Sequence, residues 1–128
     1  MTDRFLVRHA TIDCIICSPA IRTKTTARLF AKHIEYASDD IASNPELYFA
    51  GAPMFLKAAR LVDENCESAM LVGHNPAITE FVNEMAGSNI KNIPTCGLVE
   101  LSIPVDNWAD IQLGTATLIH YDYPKKKQ

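Results

Sequence analysis

The chain has 128 residues, a formal net charge of −3, 48% hydrophobic residues and 21% charged residues. This length favours one domain over residues 1–128, because a second core would have too few residues. The composition excludes wholesale disorder, and the slight acidity argues against nucleic acid as the main partner. No apolar run approaches the ~20 residues of a membrane span and the start lacks a signal peptide, so we expect a cytosolic protein without membrane contact.

Apolar runs alternate with helical patterns along the first half of the chain. Two strands are predicted at Phe5–Val7 and Ile12–Cys17. Ser18-Pro19 then opens a helix, because serine is a good N-cap and proline suits the first helical position, and this helix continues to about His33 or Ile34. A short strand near Ile41 follows the helix.

The second half continues this alternation. A helical pattern runs from Leu47 to Val62 with an interruption near Gly51, and Asn75-Pro76 repeats the cap-plus-proline signal before a helix that ends at Gly87. Further strands are predicted at Ala69–Val72, Leu98–Ile103 and Thr115–His120. The last two have no helix between them. We therefore expect a three-layer α/β/α sandwich, with a mostly parallel central sheet and an antiparallel edge.

Basic residues stand at the ends of three predicted strands. Arg8-His9 follows the first, Arg22 lies in the helical turn after the second, and Gly73-His74-Asn75-Pro76 follows the strand at Ala69–Val72. Each signal is weak alone, since an Arg-His pair is more often a surface feature and Gly-His-Asn-Pro a strand-to-helix turn. Ligands of doubly wound sheets bind at the carboxyl ends of parallel strands, so we expect all three groups to face one crevice.

Such a crevice suits a phosphate group. Two guanidinium groups can bind phosphate oxygens bidentately, and helix N-termini at Pro19 and Pro76 add amide donors. A neutral imidazole can attack phosphorus, and a second histidine can donate hydrogen bonds as charge spreads in the transition state. We expect a phosphate or sulfate ion to be able to occupy this pocket.

The remaining chemistry-bearing residues favour structural roles. Cys14 and Cys17 form a C-x-x-C, but they lie within a predicted strand, whereas thioredoxin-type pairs sit at a helix N-terminus. The spacing of the histidines and cysteines offers no metal cluster, and no cofactor motif is present. We therefore predict a site without a metal or cofactor.

Three motifs in order resemble the signature of the histidine phosphatase superfamily, which has the phosphoglycerate mutase-like fold. They are Leu6-Val7-Arg8-His9-Ala10, Ser18-Pro19-Ala20-Ile21-Arg22 and Val72-Gly73-His74-Asn75-Pro76. Pro94-Thr95-Cys96-Gly97 and Tyr121-Asp122-Tyr123-Pro124-Lys125 resemble the small SixA-type phosphohistidine phosphatase branch. The resemblance covers nearly the whole chain.

The resemblance implies a role for each matching residue. His9 would be the nucleophile and would carry a transient phosphoryl group. Arg8 and Arg22 would clamp the phosphate, and His74 would complete the pocket and stabilise the transition state. Asn75 would cap the helix, with a phosphate contact as its second role. Because His9 must be neutral to attack, turnover should fall as it becomes protonated.

Larger members of the family use an acidic residue to protonate the leaving oxygen. Glu46 is the candidate for that role here, and its alternative is an ordinary carboxylate in a first helical turn. A phosphohistidine substrate would need little help from such an acid, because its leaving group is an imidazole.

The chain departs from the family pattern after the first motif. Only Ala10 and Thr11 separate Arg8-His9 from the second predicted strand, whereas parallel neighbours need a crossover of about a dozen residues or more. We therefore expect that a segment is missing from the sequence between Ala10 and Thr11, rather than that the element was lost. A direct peptide bond there would force a tight hairpin and count against the phosphatase fold.

The favoured function is a phosphatase that hydrolyses phosphohistidine on a protein through a phosphohistidine enzyme intermediate. One alternative is a small-molecule phosphomonoesterase of the same superfamily, which a firm role for Glu46 would favour. Another is a non-catalytic module that binds phosphate or a phosphoprotein. A nucleotide-binding domain is set aside because the chain has no G-x-G-x-x-G or Walker A run. A monomer is expected, since no apolar surface stripe is obvious.

Overall fold

The computed structural model describes residues 4–6, 12–48, 51–94 and 97–122. The strands are β1 Arg4–Leu6, β2 Cys14–Cys17, β3 Ala42–Ser43, β4 Ser68–Val72, β5 Leu98–Ile103 and β6 Thr117–Asp122. The α-helices are α1 Ile21–His33, α2 Ala52–Arg60 and α3 Ala77–Ala86, and short 3₁₀ turns lie at Ser38–Asp40, Pro45–Leu47 and Trp108–Asp110. In these ranges no helix is long and apolar enough to cross a bilayer.

The strands form one six-stranded sheet in the order β3-β2-β4-β1-β5-β6. β2 pairs in parallel with β3 and β4, and β1 pairs in parallel with β4. β5 is antiparallel to both of its neighbours, β1 and β6. The expected parallel sheet with an antiparallel edge is therefore confirmed. Because β1 to β4 run in the same direction, their carboxyl ends lie at the same end of the sheet.

Two apolar clusters lie on opposite faces of this sheet. Along β4, Met70 belongs to one cluster, whereas Ala69 and Leu71 belong to the other, as the alternation of side chains along a strand requires. Ala27 and Ala31 of α1 pack in the first cluster. Buried residues of α2 and α3 pack in the second. The helices thus cover both faces, which confirms the three-layer arrangement.

The first helix begins later than its sequence signal predicts. Its N-cap is Ala20 rather than Ser18. The hydroxyl of Thr23 donates to the carbonyl oxygens of Ser18 and Ala20, each at 2.8 Å, and Ser18 Oγ accepts from the Ala20 amide at 3.2 Å. The prediction of Ser18 as the N-cap is wrong, because its side chain closes the turn that precedes the helix.

The junction between Ala10 and Thr11 lies outside the described residues, so the expectation of a missing segment stays a prediction. On either side of it, β1 and β2 are parallel and are separated in the sheet by β4. Parallel strands are joined by a crossover of about a dozen residues or more, and only residues 7–13 lie between β1 and β2 in the sequence.

Candidate functional site

A cavity of about 410 Å³ lies at the carboxyl ends of β2 and β4. Ala20 and Arg22 line it from the start of α1, and Gly73, His74 and Asn75 line it from the turn after β4. The prediction that these two strand ends face one crevice is confirmed. Apolar side chains from both helices and strands form much of the remaining wall.

The third predicted strand end bears Arg8 and His9, and both residues lie outside the described residues. Their roles stay predictions. In the sequence Val7 separates them from β1, which ends at Leu6 beside β4, and His74 lies two residues after the end of β4.

The starts of α1 and α3 adjoin the cavity. Neither N-cap residue, Ala20 in α1 or Pro76 in α3, makes a side-chain cap hydrogen bond. The first turn of α1 also holds no acidic residue. The amides of such a turn carry partial positive charge, and an anion is the partner that they favour.

The cavity wall carries the Arg22 guanidinium and the His74 imidazole, and no carboxylate, among its described residues. Arg22 and His74 are the ionisable side chains found there. Of the 15 aspartate and glutamate residues in the sequence, only Asp3 lies outside the described residues. The wall therefore favours an anionic ligand.

The two ring nitrogens of His74 have different surroundings. Nε2 lies 2.5 Å from the backbone oxygen of Tyr48, and because a carbonyl oxygen only accepts, Nε2 carries a proton. Nδ1 is buried and has no hydrogen-bond partner among the described residues. An unsatisfied buried nitrogen costs about 1–3 kcal/mol, so a ligand that completes its hydrogen bonding would be stabilised.

Asn75 does not cap α3. Its side-chain nitrogen donates to the carbonyl oxygen of Ile93 at 2.6 Å, and its side-chain oxygen accepts from the hydroxyl of Thr79 at 2.5 Å. The amide of Ile93 in turn donates to Thr79 Oγ1 at 3.0 Å. The prediction of Asn75 as the cap is wrong, because its amide instead ties the first turn of α3 to the loop that borders the cavity.

Glu46 is not among the described residues that line the cavity. It is exposed in the turn Pro45–Leu47, where its amide donates to Asn44 Oδ1 at 2.9 Å. Its carboxylate accepts from Lys57 Nζ at 3.0 Å. The structure thus places Glu46 in the first turn of a short helix, and Glu46 is not among the described residues that line the cavity with Arg22 and His74.

The described cysteines have the properties of structural thiols. Cys14, Cys17 and Cys66 form no disulfide with one another, and the first two lie within β2 as expected. Burial, with a further contribution from the neighbouring Cys66, raises the pKa of the Cys14 thiol to about 12. Burial also raises the pKa of Cys17. A raised pKa disfavours the thiolate, which is the nucleophilic form.

Within the described ranges no group of His, Cys, Asp or Glu is placed to hold a metal ion.

Two features of the site had no usable signal in the sequence. The contact from His74 uses the backbone oxygen of Tyr48, and every residue type has such an oxygen. The Thr79 hydroxyl that holds Asn75 lies four positions along the chain, a spacing shared by many unrelated helical pairs. Only the fold shows that these groups position the residues named by the motifs.

Gly73, directly before His74, leaves no room for a side chain. A Cβ atom there would come within 2.1 Å and 2.4 Å of ring carbons of Phe55, which is fully buried. We predict that Gly73→Ala lowers the free energy of unfolding by about 1–3 kcal/mol, because the ring must shift in a packed core. Urea unfolding would measure the loss. In the control Gly51→Ala, a Cβ would meet only Pro53 Cδ at 3.6 Å, so a much smaller change is expected. Equal losses in both variants would contradict the steric explanation.

The chain was compared in sequence and in structure with known proteins. No family model matches the chain. An uncharacterized protein of Mycobacterium leprae (strain TN), ML1117, is 24% identical over 123 residues, which cover 89% of this chain and 73% of that protein.

Solved structures resemble the chain over almost its whole length. One, described as a "putative phosphohistidine phosphatase SixA" from Nakamurella multipartitia, superposes with a TM-score of 0.79 at 19% identity and covers 98% of each chain. Another with the same description, from Agrobacterium tumefaciens, has a TM-score of 0.71 at 22% identity and covers 96% of this chain and 98% of its own. The resemblance to the SixA-type branch is thereby confirmed at the level of the fold: the chain has a SixA-like α/β fold.

Proposed function

We propose that this protein is a phosphatase that hydrolyses phosphohistidine on a protein substrate through a phosphohistidine intermediate at His9. The observation that carries the proposal is the composition of the cavity wall: Arg22 and His74 both line it, and the described residues contribute no carboxylate. The fold shared with two proteins described as putative phosphohistidine phosphatases supports the same activity.

In this proposal the phosphoryl group is bound by positive charge and by hydrogen-bond donors that point at its oxygen atoms. The Arg22 guanidinium and the uncapped first turn of α1 bind its oxygens. His74 keeps one proton on Nε2 toward Tyr48, and a second proton on Nδ1 lets the ring donate to the phosphate. Arg8 supplies the second clamp, as the resemblance implies.

The proposed reaction has two displacements at phosphorus. A lone pair of neutral His9 forms a bond to phosphorus while the P–N bond of the substrate breaks, and its electron pair leaves with the substrate imidazole. The oxygen of a water molecule then forms a bond to the phosphorus on His9, the second P–N bond breaks and returns its electron pair to the His9 nitrogen, and the water protons leave on inorganic phosphate. Charge on the transferring group stays near the guanidinium throughout.

The leaving group decides between phosphohistidine and a phosphate ester. An alkoxide needs a proton from a general acid, which contributes about 10²–10⁴-fold to the rate. Glu46, the candidate acid, is exposed and paired with Lys57. An imidazole leaves without that help, so the phosphohistidine substrate is favoured over a small alkyl ester.

We predict the order of turnover on three substrates. A histidine-phosphorylated carrier protein and p-nitrophenyl phosphate should both be hydrolysed, and glycerol 2-phosphate should be slower by at least about 10²-fold because its alkoxide is not protonated. Phosphate release under one set of conditions measures all three. Equally fast hydrolysis of glycerol 2-phosphate would favour the small-molecule phosphomonoesterase. Phosphate binding without turnover on any substrate would favour the non-catalytic binding module.

A further inference from the structure

We propose that the outer face of α1 is a docking surface for the proposed phosphoprotein substrate, and that this substrate is acidic around its phosphorylated histidine. The inference rests on the proposed function and names the class of protein that the site would accept. The surface is called the α1 face below and consists of Ile21, Arg22, Thr25, Arg28, Leu29 and Lys32.

The α1 face is basic although the chain as a whole has a net charge of −3. The helix contains no Asp or Glu, and Arg22, Arg28 and Lys32 on this face are exposed. No ion pair joins any of the three to a carboxylate among the described residues. Their charge is therefore available to a partner of opposite sign.

Apolar side chains lie between these cations. The exposed fractions of Ile21 and Leu29 are 81% and 62%, and the two residues lie on one side of the helix together with Thr25. A shallow hollow is lined by Thr25, Arg28, Leu29 and Lys32, and its far end reaches Glu35. Apolar anchors within a charged rim are typical of protein interfaces, which favours a protein over a nucleic acid as the occupant.

The α1 face is continuous with the candidate active site. Arg22 belongs to both, since it lines the cavity and stands at the start of the face. From Arg22 to Lys32 the helix rises about 15 Å, which is the scale of a peptide segment next to a bound phosphohistidine. A substrate that docks on α1 would thus present its phosphoryl group to the cavity.

Phosphohistidine peptides of equal length test the charge preference. One peptide has Asp, Glu and Leu around the phosphohistidine, and the other has Ser and Leu in the same positions. We expect a roughly tenfold higher kcat/KM for the acidic peptide at low salt, and a smaller ratio at high salt because the attraction is screened. Equal values for both peptides at low salt would overturn the proposal.

Variants of the α1 face test the surface itself. Arg28→Glu with Lys32→Glu should remove the preference for the acidic peptide, and Leu29→Ser should lower kcat/KM for both peptides. Turnover of p-nitrophenyl phosphate should stay unchanged, since none of these residues lines the cavity. The control Lys57→Glu reverses one charge on α2, on the opposite face of the sheet, and should keep the preference. A full preference in the Arg28/Lys32 variant would overturn the proposal.

A measurement of peptide binding tests the docking surface independently of the proposed phosphatase activity. If the wild-type protein hydrolyses neither the peptides nor p-nitrophenyl phosphate, the proposed function fails, and fluorescence anisotropy of the labelled acidic peptide still tests docking. Binding that weakens roughly tenfold in the Arg28/Lys32 variant would support the α1 face. Tighter binding of a single-stranded oligonucleotide, or a dimer in sedimentation that Leu29→Ser dissociates, would overturn it in favour of another occupant.

Discussion

The His9→Ala variant is expected to lose phosphate release by at least about 10³-fold, on the phosphohistidine carrier protein and on p-nitrophenyl phosphate alike. Alanine has no lone pair to attack phosphorus, so the covalent route is closed and only direct attack by water remains. Continuous phosphate detection would measure the loss. The variant should still bind inorganic phosphate, because Arg22, His74 and the start of α1 are unchanged.

The matched control for His9 is His33→Ala. His33 is exposed at the end of α1 and does not line the cavity, so its removal should leave turnover unchanged. Circular dichroism spectra that coincide for both variants and the wild type would exclude unfolding as the cause. A His9→Ala variant that keeps a tenth or more of the wild-type rate would contradict the assignment of His9 as nucleophile.

The Arg22→Lys variant is expected to lower kcat/KM for p-nitrophenyl phosphate by about 10²-fold. Lysine keeps the charge, but a single ammonium group cannot replace two parallel N–H donors directed at two phosphate oxygens. Inhibition by inorganic phosphate should also weaken in this variant, because in the proposed site the guanidinium group binds both the substrate and the product.

Arg28→Lys provides the control on the same helix. Arg28 is also exposed on α1 but does not line the cavity, so the same substitution there should leave p-nitrophenyl phosphate turnover unchanged. Unchanged turnover and phosphate affinity in Arg22→Lys would remove Arg22 from the phosphate site. Equal losses of turnover in both variants would show that the effect comes from exchanging arginine for lysine anywhere on α1, and not from a contact that Arg22 makes in the cavity.

Much of the fold could be predicted from local sequence signals. The strand Leu98–Ile103 is found at the residues that its alternating pattern predicts, although Glu100 and Ser102, at its polar positions, are buried as well. The helix that ends before Gly87 is also found, with Gly87 at a φ of 65°. The start of α1 is predicted two residues too early, since Ser18 Oγ accepts from the Ala20 amide in the turn before the helix and not from an amide of the first helical turn.

The candidate site could be predicted in part. Arg22 and His74 were found from motifs at two strand ends, and the parallel sheet places them on one cavity. The contacts of Asn75 and Glu46 depend on residues distant in the sequence. Asn75 bonds to the loop at Ile93 instead of capping its helix, and Glu46 pairs with Lys57 on the next helix. Neither partner is marked by any pattern near the residue itself.

The most direct test of the proposed function is to trap the phosphorylated enzyme. The protein would be mixed with an excess of radiolabelled histidine-phosphorylated carrier protein and stopped within one turnover in alkaline detergent, in which phosphohistidine is stable. Peptide mapping would then locate the label. We predict an alkali-stable, acid-labile phosphoryl group on the peptide that contains His9. Rapid phosphate release with no label on that peptide, or with the label on another residue, would contradict the proposed mechanism.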